Sequence, residues 1–216
     1  MKKLSAIIAA VAALLGAFCL TGCKKHDPAK DWEYIQKKGT MIVGYTMYDP
    51  VAYTDENGEL VGFEVELAKA VAEKLGVKAE FQQINWNGKV NEINSLSIDV
   101  IWNAMTITDE LKQQIDITDP YMKNFTVAVV KKDSKEKFKD KAGIKTAAKI
   151  AVEAGSSGHK AVLGDPELAG ASILECEDQI GAFREVATHS DYVAVVDGIL
   201  YSSHKNKPQS MVNEYE

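Results

Sequence analysis

The chain has 216 residues, enough for one large domain or for two domains of about 100 residues each. Hydrophobic residues make up 46% and charged residues 26%, a balance that is typical of a folded protein and argues against wholesale disorder. The formal net charge of -6 argues against a nucleic-acid-binding protein, because such a protein needs a basic face for the phosphates. Arg184 is the only arginine, so a bidentate guanidinium clamp for a carboxylate is nearly excluded.

The first 22 residues have the organisation of a secretory signal peptide. Two lysines precede an apolar segment, residues 4–20, and small residues follow it. A transmembrane helix is the alternative, since the segment is only slightly shorter than the roughly 20 residues that cross a bilayer. Leu20-Thr21-Gly22-Cys23 resembles the lipobox of bacterial lipoproteins. This resemblance implies acyl chains such as palmitate on Cys23, anchorage at the outer face of the cell membrane, and a tether at residues 23–30.

Strand and helix patterns alternate after the tether. In the first half, alternating and continuous apolar runs predict strands, and apolar residues at three- and four-residue spacing predict helices. Asn57-Gly58 lies between two short extended runs and predicts a tight hairpin turn. We predict strands at 41–44, 77–81 and 98–102, the last buried on both faces, and helices at 63–75 and 87–96.

The same alternation continues to the end of the chain. We predict strands at 125–130, 149–153, 171–174 and 192–196, and helices around Phe138, after Gly158 and at 178–187. Such alternation indicates α/β architecture, with parallel-rich sheets and flanking helices. A break in the pattern near 125–132 favours two lobes, which we place at residues 31–126 and 127–216.

Three polar sites follow predicted strands, at the sheet edge where open α/β proteins bind ligands. They are the segment 103–108, the turn Gly155-Ser156-Ser157-Gly158, and Asp197. Hydroxyls and backbone N–H groups at a helix start suit a carboxylate, and an aspartate suits a cation. Together they predict a pocket for a small zwitterion, although a serine such as Ser156, taken alone, is more often a helix cap than a ligand contact.

Catalytic and metal-binding motifs are missing from the sequence. The run Gly155-Ser156-Ser157-Gly158-His159 is not G-x-S-x-G, because its second glycine arrives one residue early. H-E-x-x-H, paired C-x-x-C, Walker and G-x-G-x-x-G patterns are absent from the sequence. We therefore predict a protein that is not an enzyme and needs no metal or cofactor.

Several segments, in this order, resemble the extracellular solute-binding proteins of family 3, the polar amino-acid class of ABC importers. They are residues 53–70, 98–108, 117–121, 152–158 and 191–197. The resemblance implies a two-lobed periplasmic-binding-protein fold of type II that closes over its ligand. It further implies a monomeric substrate-binding component that captures an amino acid outside the cytoplasmic membrane and delivers it to an ABC permease.

The resemblance also assigns roles to individual residues. Tyr48 and Trp86 correspond to side chains that pack around the ligand, and Asn103 and Thr106 correspond to polar contacts from the first lobe. Ser156 and Ser157 correspond to the second-lobe contacts with the ligand carboxylate, and Asp197 corresponds to the acceptor for the α-ammonium.

Two departures from the family pattern stand out. The family commonly has an arginine where Leu111 stands, and members usually continue for several dozen residues beyond residue 216 to complete lobe one. We therefore expect a chain without the usual carboxyl-terminal return to lobe one. An enzyme on the same scaffold, of the cyclic-acid dehydratase type, and a sensor or truncated remnant are the alternatives.

Overall fold

A computed structural model describes residue 27 and residues 30–204 of the chain. The predicted signal peptide, Cys23 and most of the tether lie outside the described residues, as do residues 205–216. Within the described part, no helix is both long enough and apolar enough to cross a membrane.

The first described helix, α1 (Asp31–Lys38), begins with Asp31 and Glu33 in its first turn, where acidic side chains complement the positive end of the helix dipole. The compact unit that contains both main sheets starts at Lys38. The part of α1 before Lys38 belongs to a separate unit.

A parallel three-stranded sheet forms the first half of the large unit. Its central strand is β1 (Thr40–Tyr45), and a hairpin of β2 (Tyr53–Thr54) and β3 (Leu60–Val61) follows it in sequence. The turn of this hairpin contains Gly58 at a φ of 83°, which confirms the predicted Asn-Gly turn. Helix α2 (Phe63–Lys74) leads into β4 (Lys78–Gln83), which pairs with one edge of β1.

Helix α2 lies where the apolar pattern predicts it, but its buried face is different. Glu64, Val65, Ala68 and Ala72 are buried, whereas Phe63 is 53% exposed. A strict four-residue spacing drifts around a helix of 3.6 residues per turn, so that stripe does not stay on one face. Small alanines instead form the side that packs inward.

After β4 the chain makes a 3-10 turn at Trp86–Gly88, capped by the Asn85 side chain, and then α3 (Lys89–Asn94). Strand β5 (Val100–Ile101) pairs with β1 on the side opposite β4. It is shorter than the predicted strand at 98–102, and its two residues are only partly buried. Helix α4 (Asp109–Lys112) follows, with the Thr108 hydroxyl accepting the N–H of Leu111 as a cap.

A four-stranded sheet forms the second half. Its strands are β6 (Thr126–Val129), β7 (Lys149–Glu153), β8 (Ile173–Cys176) and β9 (Tyr192–Asp197), in the order β6-β9-β7-β8. Strand β7 is parallel to both β8 and β9, and β6 is antiparallel to β9. The accompanying helices are α5 (Lys141–Lys145), α6 (Ser157–Gly164), α7 (Gln179–Thr188) and α8 (Gly198–His204). The fold class is therefore mixed α/β with parallel-rich sheets, as predicted.

Two local predictions in this half are wrong. Phe138 is buried in a turn rather than in a helix, and α5 begins only after Asp140, whose side chain accepts the N–H of Gly143. This cap stops a helix from running continuously through the lysine-rich stretch. Strand β8 starts two residues later than predicted, because its pairing register with β7 joins Ile150 to Ile173.

Candidate functional site

Six of the seven predicted binding residues line one cavity. The cavity contains about 260 Å³ of space free of atoms, part of which is open to solvent. The predicted residues at its wall are Trp86, Asn103, Thr106, Ser156, Ser157 and Asp197, and they are joined by Ala104, Glu153 and Gln179. The cavity thus brings together residues that end or follow β4, β5, β7, β8 and β9.

Asp197 is the last residue of β9 and is only 7% exposed. Gln179, the first residue of α7, holds it in place: the Gln179 side-chain amide donates to Oδ2 at 2.5 Å, and the Asp197 backbone N–H donates to the side-chain Oε1 of Gln179 at 2.8 Å. Burial raises the pKa of Asp197, and hydrogen bonds from Gln179, Asn124, Tyr48 and Ser157 oppose that rise. The side chain is therefore an oriented acceptor at a desolvated wall.

Tyr48 is the one predicted residue that does not line the cavity. It is 2% exposed and lies in the turn after β1, where its backbone pairs with Ala52. Burial, followed by the neighbouring charge of Asp197, raises the pKa of its hydroxyl. Tyr48 is thus a core residue close to Asp197 and does not form part of the cavity wall.

Ser156 serves as a helix cap and also lines the cavity. Its hydroxyl accepts the N–H of His159 at 3.1 Å, and its side chain is buried at the start of α6. Gly155 precedes it with a φ of 71°, a backbone conformation that favours glycine. The turn therefore presents hydroxyls and the positive end of a helix to the cavity, which suits an anionic group.

The opposite wall contains Asn103, which is 4% exposed. Its amide donates to the Thr46 hydroxyl at 2.7 Å, while its carbonyl oxygen is buried without a partner. The next residue, Ala104, adopts a φ of 53°, and its backbone N–H bonds to the buried carboxylate of Glu64. Glu64 also accepts the Tyr121 hydroxyl at 2.8 Å. Glu64 was not predicted, and it holds the wall segment in its left-handed conformation.

Glu153 is the most informative residue that the sequence analysis missed. It ends β7, is 2% exposed and lines the cavity, and its Oε1 has no hydrogen-bond partner. Burial, followed by the charges of Asp197 and Asp178, raises its pKa to about 8. The available signal was its position at the end of a strand, one of the positions from which an open α/β sheet presents polar groups.

Lys89 is a second missed residue, and it links the two halves of the large unit. It is 6% exposed, and its Nζ donates to the carbonyl oxygens of Trp86 at 3.1 Å and of Gly155 at 3.2 Å. The same Nζ lies 4.6 Å from the centre of the Trp86 ring. Burial lowers its pKa to about 8, with a further lowering from Lys160.

No arginine side chain lines this cavity. Leu111, at the family's usual arginine position, is buried in α4 and does not line the cavity, and Arg184 is exposed on α7. The residues that line the cavity include no lysine, arginine or histidine. Among residue 27 and residues 30–204, no three His, Cys, Asp or Glu side chains are grouped as metal ligands.

The sequence pattern of the bacterial extracellular solute-binding proteins, family 3, matches residues 41–214. The chain belongs to this family. The match covers both main sheets and every residue of the cavity, and it confirms the family resemblance and the predicted fold.

Other members and neighbours of family 3 are named for amino acids. The L-cystine-binding protein TcyJ of Escherichia coli is 37% identical over 106 residues, 49% of this chain and 40% of that protein. A probable amino-acid ABC transporter-binding protein of Haemophilus influenzae is 31% identical over 215 residues, 95% of this chain and 78% of the relative. The solved ancestral amino acid-binding protein AncCDT-1, a precursor of cyclohexadienyl dehydratase, has a TM-score of 0.74 and 34% identity, covering 80% of this chain and 76% of that one. This chain's match therefore spans well under two thirds of TcyJ.

Proposed function

We propose that this protein is the substrate-binding component of an ABC importer that captures an amino acid outside the cytoplasmic membrane. The observation that carries the proposal is the shared cavity of Asp197 and the Ser156-Ser157 turn. In it, an acidic side chain and the amino-terminal end of α6 face the same small space. An α-amino acid carries the two charges that these groups would recognise.

The cavity can bind an amino acid with micromolar affinity although no arginine lines it. Hydrogen bonds to a charged group contribute roughly 1.5–3 kcal/mol each, and a micromolar complex needs about -8 kcal/mol. The Ser156 and Ser157 hydroxyls and the N–H groups at the start of α6 supply several donors for the carboxylate. Asp197 supplies the acceptor for the α-ammonium.

The proposal includes closure of two lobes, residues 31–126 and 127–216, around the ligand. Two polar links join the segments around the cavity: Lys89 to the Gly155 carbonyl oxygen, and Lys160 to Glu110. A ligand that bonds to both sides stabilises the closed form because only that form satisfies both of its charged ends. A permease would then recognise the closed form.

The proposed location is the outer face of the cell membrane. Acyl chains on Cys23 would hold a monomer there, at about 0.8 kcal/mol for each buried CH₂ group. The extracellular character of the family supports the location. The tether would leave the binding domain free to reach its permease.

The first test is a calorimetric titration of the purified protein with a panel of the natural L-amino acids. We expect at least one to bind with a Kd near or below the micromolar range, and to raise the unfolding temperature, because binding to the native state alone stabilises it. No binding by any member of the panel would contradict the amino-acid proposal.

Closure itself is tested by Lys89→Met. Methionine keeps most of the apolar stem but removes the charge that bonds to the Gly155 carbonyl oxygen. We expect a larger radius of gyration for the ligand-free protein in small-angle X-ray scattering and a several-fold weaker ligand affinity. Lys74→Met, at an exposed position of α2, is the matched control. Identical scattering of wild type and Lys89→Met would show that Lys89 does not hold the two sides together.

An enzyme on the same scaffold is the second candidate, and Glu153 is the observation that favours it. A buried carboxyl with a pKa of about 8 is protonated at neutral pH and can act as a general acid. Turnover of a cyclohexadienyl acid, followed by its ultraviolet spectrum, tests this candidate. We favour binding because Glu153 lies beside a second acceptor, Asp197, and the cavity thus offers a place for a cation.

A further inference from the structure

Recognition of a simple zwitterion leaves one group in the cavity unused. Asp197 accounts for the α-ammonium, and the Ser156-Ser157 turn accounts for the carboxylate. Glu153 is a second carboxyl at the same wall. Only 2% of the residue is exposed, and its Oε1 has no hydrogen-bond partner. A buried carboxyl oxygen without a partner is costly, so its retention in a ligand cavity calls for a partner that the ligand brings.

The groups around Glu153 do not supply that partner. Asp197 on β9 and Asp178 before α7 are acidic and repel a second negative charge. The Gln179 side chain bonds to both Glu153 and Asp197, but Glu153 Oε1 still has no partner. Lys89 is the nearby cation that favours the ionised form, but its Nζ bonds to two backbone carbonyl oxygens. The Tyr48 hydroxyl, which is not part of the cavity wall, is itself disfavoured as an anion by Glu153 and Asp197.

We propose that Glu153 is a specificity-determining residue that selects a ligand with a second cationic group, a basic amino acid. This inference rests on the proposed function and narrows it to one class of substrate. A guanidinium or ammonium on the ligand side chain would donate to the free Oε1 and would offset the repulsion between Glu153 and Asp197. An apolar side chain would leave that oxygen without a partner, and a neutral donor such as a ureido group would not offset the repulsion between the two carboxyl groups.

The proposal has a proton linkage with a defined sign. In the empty cavity Glu153 holds a proton below its pKa of about 8, and a bound cation favours the ionised form. Binding of a basic ligand therefore releases a proton, and its affinity rises with pH up to about 8, by at most about tenfold per pH unit. The pKa of Lys89 lies in the same range, and its titration changes the affinity for charged and neutral ligands alike. The pH dependence of binding a neutral ligand therefore measures the contribution of Lys89.

Isosteric ligand pairs provide the test: arginine against citrulline, and lysine against norleucine. We expect wild type to bind the cationic member at least about tenfold more tightly, because one charge-assisted hydrogen bond has that magnitude. Calorimetry at about pH 6 and about pH 8, in buffers of different ionisation enthalpy, should show proton release with arginine and none with citrulline.

Glu153→Gln should remove both the preference and the proton release, while Glu175→Gln, at an exposed position on the neighbouring strand β8, should keep both. Equal wild-type affinity for arginine and citrulline, or tighter binding of glutamate as the pH falls, would overturn the selection of cations while leaving amino-acid binding intact. Failure to bind any amino acid would instead overturn the proposed function, and with it this inference. The comparison of ligand pairs needs only wild type, so it stands even if the variant does not fold.

Discussion

Asp197→Asn is expected to reduce the affinity for amino acids by at least about 100-fold. The neutral amide loses the charge that attracts the α-ammonium, and its NH₂ group is a hydrogen-bond donor facing the donors of the α-ammonium. The substitution preserves the shape of the side chain and leaves the backbone bond to Gln179 in place. Isothermal titration calorimetry with the tightest ligand of the panel measures the effect.

The empty Asp197→Asn protein is expected to be at least as stable as wild type. Burial raises the pKa of Asp197, which means that the ionised form is disfavoured in the native protein, and removal of the charge relieves that cost. Thermal unfolding without ligand therefore separates lost recognition from misfolding. Asp191→Asn, at an exposed position just before β9, should leave affinity unchanged. Wild-type affinity in Asp197→Asn would remove Asp197 from the site.

Gly62→Ala is expected to destabilise the fold by about 3 kcal/mol or more. Gly62 has a φ of 131°, and a Cβ there would lie 2.4 Å from the backbone oxygen of Val51. The neighbouring backbone cannot withdraw easily, since the N–H groups of Phe63 and Glu64 bond to Pro50 and Val51 at 3.0 and 3.1 Å. Chemical denaturation of the ligand-free protein measures the loss.

Gly58→Ala is the matched control. Gly58 also has a positive φ, 83°, but nothing lies within 4 Å of a Cβ placed there, so only the backbone strain of about 1 kcal/mol remains. Equal losses for the two variants would show that the contact between Gly62 and Val51 relaxes at little cost. A greater loss for Gly62→Ala would show that this contact fixes the turn that carries Tyr48.

The cavity was predictable because it depends on strand ends. Parallel strands place their carboxyl ends at one edge of a sheet, so Asn103, Ser156 and Asp197 could be assigned to a common region before their contacts were known. Glu153 was not predicted because it ends a buried strand, where a polar residue is usually explained as the boundary between the strand and the following turn. Its role depends on neighbours that the sequence does not place beside it. Its pKa depends on Asp197 and Asp178, which are far away in sequence.

Helix α2 and Phe138 show the same division at the level of packing. The apolar spacing predicted that α2 exists, but its buried face includes Ala68 and Ala72, which hydrophobicity alone would rank below the exposed Phe63. Phe138 lies in a turn because the local cap at Asp140 starts α5 later than the lysine-rich pattern suggests. Propensity is a weak local preference, and tertiary contacts override it.

The amino-acid sequence by itself determined the alternation of strands and helices, the family, and the strand ends that supply the cavity, because these depend on local periodicity and on ordered motifs. The tertiary structure alone decided that Tyr48 is buried beside Asp197, that Lys89 joins the two sides of the cavity, and that Glu153 is a buried acid in the cavity wall. The reason is that desolvation and charge interaction depend on distances between residues far apart in the chain, and sequence spacing does not contain those distances.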